Sequence, residues 1–113
     1  MGEQYNIKDY GSYTITNTGG NLYSFADSGS PSTKPTGAKS YVGILETAAI
    51  RTRGDGTTPT TTEGTLVNPG QIMALSESEF DGILEFIRTG GTSGVLKGHF
   101  YDVAADVVSG RIS

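Results

Sequence analysis

The chain has 113 residues, a net charge of −4 and no cysteine. That length allows one domain with one core, and the missing thiols exclude disulfide frameworks and cysteine-ligated zinc. The scattered basic residues form no stripe for a phosphate backbone, and no apolar run is long enough for a membrane span or a signal-peptide core, so neither nucleic acid nor membrane is expected as a partner.

Gly, Ser and Thr supply over a third of the residues, with six Tyr and four Phe. That mixture, with little charge, suits short strands joined by tight turns. The first segment, 1–11, contains "QYNIKDYG", in which Tyr5, Ile7 and Tyr10 are apolar anchors among polar residues. It reads equally well as an arm that adds a strand to a neighbour and as an ordinary edge strand. Met1-Gly2 is no myristoylation signal, because Asn6 stands where Ser or Thr is required. "SYTIT" (12–16) and "NLYSFA" (21–26) flank "NTGG" and predict a hairpin, with Asn and Gly available for positive φ. Residues 27–39 are a Ser-, Pro- and Gly-rich surface loop.

"SYVGILETAAI" (40–50) is the longest strand-like run. Val42 and Ile44 lie on one face and Tyr41 and Leu45 on the other, so both faces are largely apolar, as in a central strand. A polar turn follows at 51–64, then strand, turn and strand at 65–75, with Asn68-Pro69-Gly70 in type II order. Ser76 and Glu79 have capping-box spacing, predicting one helical turn at about 76–81. Two strands, 82–88 and 94–102, flank "TGGTSG", read as a hairpin loop. The expected core is Leu84, Phe86, Leu96 and Phe100, with Leu45 or Ile44, Leu22 and Met73. The tail 103–113 is a final strand or an extended arm after a domain at 12–102. About seven or eight short strands at regular spacing make the fold all-β, an antiparallel β-sandwich or small barrel with one short helical turn.

No catalytic set emerges. His99 is the single histidine, sits inside a predicted strand, and has no "GxSxG" nucleophile elbow to serve. One histidine does not make a metal site. The pairs Glu77 with Glu79 and Asp102 with Asp106 fall in a turn and in the tail, as solvated carboxylates do; a small hydrolase would need His99 with Asp102 or Asp106. Asp55 lacks the further oxygen ligands of a calcium loop, and "TGGTSG" lacks the helix and Lys-Ser/Thr of a P-loop. The expectation is a protein without enzymatic activity, metal or cofactor.

Arg53-Gly54-Asp55 spells the tripeptide that adhesion proteins present to integrins. Asp55-Gly56 is also a strong turn dipeptide, placed where the strand 40–50 must reverse. The turn is the preferred reading, with Arg53 and Asp55 kept as candidate subunit contacts.

The block 40–101 resembles small structural proteins of tailed bacteriophages. The matching pieces are Asp55-Gly56 to Pro59-Thr60, Gly64, Gly70 to Leu75, Phe86 to Gly90 and Ser93 to Tyr101, a little over half the chain. The resemblance implies a β-sandwich virion component without enzymatic activity. The leading role is a capsid decoration, or cement, protein that binds the major capsid protein on the outer shell and stabilises it. The alternatives are a tail- or head-fibre-associated domain with a receptor- or carbohydrate-binding role, and a head-completion protein. The decoration role implies the capsid exterior, the host cytoplasm during assembly, and a homo-oligomer, with a trimer as the first expectation. Candidate contacts are Tyr5, Ile7, Tyr10, Arg53 and Asp55.

Overall fold

A computed structural model describes residues 7–105. Tyr5 and Asp106, both singled out above, lie outside the described residues, as does most of the tail. Eight strands run in chain order: β1 (Ile7–Ile15), β2 (Gly20–Asn21), β3 (Ser40–Glu46), β4 (Ile50–Arg53), β5 (Thr65–Val67), β6 (Ile72–Ser76), β7 (Glu85–Arg88) and β8 (Gly94–Tyr101). They form two four-stranded sheets, in the orders β1-β8-β3-β6 and β2-β7-β4-β5, with every pairing antiparallel. The sheets are not closed into a barrel, so the sandwich is the correct member of the expected pair.

One apolar cluster lies between the sheets. The larger sheet contributes Tyr13, Ile15, Tyr41, Leu45, Met73, Leu75, Leu96 and Phe100; the smaller contributes Ile50, Val67 and Phe86. Leu22, Phe25 and Phe80 join from the turns. Phe86, Leu96, Phe100, Leu45, Leu22 and Met73 are buried as expected, while Leu84 is only partly buried. Of the pair Leu45 and Ile44, Leu45 points inward and Ile44 is exposed.

The chain changes sheet at most of its connections, and this corrects both predicted hairpins. β1 pairs with β8 along its length and meets the segment after "NTGG" only in a single bridge, Tyr13 to Ala26. β7 pairs with β4 and β2, and "TGGTSG" carries the chain across to β8 in the other sheet. "NLYSFA" is not a strand: Leu22–Phe25 is a 3-10 turn, capped by the Asn21 side chain, which accepts from the Ser24 N–H at 3.1 Å. The run 40–50 is two strands in different sheets, broken at Thr47, whose φ of 81° is unusual for a β-branched residue. Ile7–Gly11, read as part of an arm or as an edge strand, is the edge strand, paired with Gly98–Tyr101.

Two local predictions match the coordinates. Gln71 N–H donates to the Asn68 carbonyl at 3.1 Å, closing a turn with Gly70 at φ 94°. Ser76 N–H donates to Glu79 Oε1 at 2.8 Å, and Glu79 N–H to Ser76 Oγ at 3.4 Å, the two bonds of a capping box. The helical turn that follows covers Glu79–Ile83, with Gly82 at φ 133° inside it, and so is shifted from the predicted 76–81.

In the larger sheet, Gly11, Gly98 and Gly43 stand side by side on β1, β8 and β3. A Cβ on Gly98 would fall 2.1 Å from the Val42 carbonyl oxygen. A Cβ on Gly11 or Gly43 would collide with the ring of Tyr13 or Tyr41, respectively. The bare row lets these two tyrosines lie along the inner face. Their rings meet edge to face at 5.7 Å, and the Tyr41 hydroxyl donates to the Gly11 carbonyl at 2.9 Å.

Candidate functional site

The other side of the glycine row is a shallow groove of about 250 Å³ on the outer face of the larger sheet. Gly43 and Gly98 form its floor. Val42 and Ile44 from β3, Lys97, His99 and Tyr101 from β8, and Tyr10 from β1 form its walls. Strand alternation puts these side chains on one face: the inward residues of β8 are Gly94, Leu96, Gly98 and Phe100, so Lys97, His99 and Tyr101 point outward. Tyr10 lies opposite His99 in the β1–β8 register, and Val42 lies opposite His99 on the other side.

The aromatic rings form a ladder. Tyr10 and His99 meet at 5.2 Å, and His99 and Tyr101 at 6.3 Å, both edge to face. Tyr101 and Val42 are buried and packed against Val103, which closes one end of the face. Away from that end the apolar surface is open: Tyr10 is 47% exposed, Ile44 46% and Ile72, on neighbouring β6, 40%. The nearby charge is paired, with Lys97 Nζ 3.5 Å from Glu46 Oε1.

A second hollow, about 390 Å³, lies beside β1 between Thr14, Thr16, Thr18, Ser24 and Asp27. Its carboxylate is already engaged: Asp27 accepts from the Ser12 and Thr14 hydroxyls at 2.7 and 2.8 Å. Among the described residues, no group of three His, Cys, Asp or Glu side chains is arranged to hold a metal ion, and no helix is long and apolar enough to cross a membrane.

The candidate contacts do not converge. Ile7 and Tyr10 are exposed on β1 of the larger sheet. Arg53 and Asp55 are in the β4–β5 connection of the smaller one. There they bind each other, with Arg53 Nε donating to Asp55 Oδ1 at 2.9 Å and Oδ2 at 3.0 Å. The guanidinium holds the Asp55 carboxyl below its ordinary range, helped by the Thr57 N–H. Both charges of the tripeptide therefore face one another. The rest of the connection is also tied to itself. Thr60 Oγ1 accepts from the Glu63 N–H at 2.9 Å, Arg51 Nη1 donates to the Gly64 carbonyl at 2.9 Å, and Pro59 is fully buried. Gly64 has φ 131°, and a Cβ there would fall 2.9 Å from the Thr52 carbonyl oxygen.

Of the groove's walls only Tyr10 was a candidate contact from sequence; Val42, Ile44, Lys97, His99 and Tyr101 were not. The signal was present in 40–46, whose two faces are both apolar. One face fills the core; the other lines the groove.

The fold and face together define an antiparallel β-sandwich with an aromatic, mostly uncharged outer surface on one sheet. Comparison with protein families, curated proteins and solved structures finds no match to the chain.

Proposed function

We propose that this chain is a non-enzymatic structural protein of a tailed-phage particle, attached to the capsid exterior as a decoration protein. The observation that carries the reading is the uncovered apolar face around Tyr10, Ile44 and Ile72 on a domain that has a separate, complete aromatic core. The residues 40–101 that resemble phage structural proteins include β3, β6 and β8, which bear most of that face. The ring neighbours of His99 are Tyr10 and Tyr101, an arrangement suited to contact. Burying partly exposed side chains of this kind contributes on the order of 1 kcal/mol each. Firm attachment then comes from many copies on one shell. The partner is the major capsid protein. The trimer implied by the resemblance has no geometric counterpart in the single chain.

The test is addition of purified protein to expanded empty shells of the phage that encodes it. Co-sedimentation and a higher shell melting temperature are expected; no binding to those shells overturns the reading. A receptor- or carbohydrate-binding role is the second reading, favoured by the Tyr10–His99–Tyr101 ladder. Glycan or host-cell binding by the isolated chain, lost in Tyr10→Ala, would select it.

A further inference from the structure

The two edges of the larger sheet differ. β1 is guarded on its free side by the segment that follows Phe25. Ala26 bridges to Tyr13, Asp27 N–H donates to the Ser12 carbonyl at 2.9 Å, and Ser12 N–H donates to Ser30 Oγ at 2.8 Å. β1 also carries Lys8 and Asp9, charges of the kind that deter edge pairing. β6 has none of this. Gln71–Ser76 contains no charge, proline or glycine, and β6 is the last strand of its sheet.

The pairing phase fixes which backbone groups face outward. Leu45 N–H donates to the Gln71 carbonyl, so the odd residues of β6 bond β3. Ile72 and Ala74 then direct their N–H and C=O groups away from β3, and these have no partner among the described residues. Ser76 N–H is taken by Glu79 Oε1.

We infer that β6 pairs with β6 of a second copy of this chain, antiparallel, about a two-fold axis through Ala74. Each Ala74 exchanges both backbone bonds with Ala74 of the other copy. The outward groups of Ala74 are matched at the axis, and the outer faces of the two sheets become continuous. Each Ile72, 40% exposed in the single chain, then lies opposite Ser76 of the other copy. A small residue at the axis allows the close approach. Charge selects the antiparallel sense: the Glu77 and Glu79 end of one strand lies beside uncharged Asn68–Gln71 of the other, whereas parallel pairing would set the acidic ends together. A closed two-fold contact also consumes the edge without leaving a new one. The pairing stands apart from the phage reading and is tested without any shell.

Sedimentation velocity on the full chain tests it, over a concentration series. A concentration-dependent dimer is expected. Ala74→Pro removes only the outward N–H, so it should abolish the dimer while preserving the far-UV dichroism. Ala74→Lys, which keeps the backbone N–H and sets like charges directly opposite one another at the axis, should also give monomer and decides the matter if the proline variant unfolds. Leu66→Lys, at an exposed position on the other sheet, should stay dimeric. A wild-type chain that is monomeric at every concentration, or a dimer that survives Ala74→Lys, overturns the inference.

Discussion

Tyr13 and Tyr41 show how single residues set this structure. Both are fully buried, and burial pushes both hydroxyls well above the ordinary tyrosine range. The sign of the pH effect follows. Unfolded tyrosine ionises near pH ~10; the folded groups ionise higher. Their contribution is fully present below that pH and is lost above it, because the unfolded chain releases its protons first. Stability is expected to be insensitive to these tyrosines up to about pH 10, then to fall, as denaturant melts at increasing pH would show. Tyr41→Phe should flatten that fall and, by removing the donor to the Gly11 carbonyl, cost about 1 kcal/mol at neutral pH. Arg53 and Asp55 present the opposite case. They are exposed and bind one another, so the tripeptide holds its own turn. Replacing both by Ala should leave the thermal midpoint and any shell binding unchanged; lost shell binding would make the loop a contact.

At the scale of elements, the glycine row is the feature that shapes the larger sheet. Gly98→Ala should destabilise by about 1–3 kcal/mol or more, since its methyl would meet the Val42 carbonyl, which β-pairing holds in place. A melt unchanged by that substitution would show that β3 and β8 can separate at no cost. The capping box at Ser76 and the turn at Asn68–Gln71 were legible in sequence because every partner lies within three residues. The pairings were not. "NTGG" and "TGGTSG" have hairpin chemistry, but a turn that crosses between sheets needs the same glycines. What distinguishes the two is where β1 and β7 find partners, and β1 pairs with residues 94–101, far away in the chain. The 3-10 turn left a fainter trace: Leu22 and Phe25 are three apart, and Asn21 can cap. The groove was half legible, since two apolar faces on 40–46 meant either a second packed layer or an exposed contact surface.

For the molecule as a whole, the described residues leave two kinds of surface open after the core is complete: the outer face of the larger sheet and the edge at β6. We propose the first for a large partner and the second for a copy of the chain. Attachment through the outer face is the claim on which the functional account depends. Its most direct measurement is co-sedimentation with expanded empty shells of the phage proposed to encode the chain, comparing wild type with Ile44→Glu. Ile44 is 46% exposed, so the substitution should spare the fold. The account predicts that wild type binds and that Ile44→Glu, with unchanged dichroism, loses at least about tenfold in affinity, some 1.4 kcal/mol. Equal binding by the two proteins, or none by wild type, would contradict it.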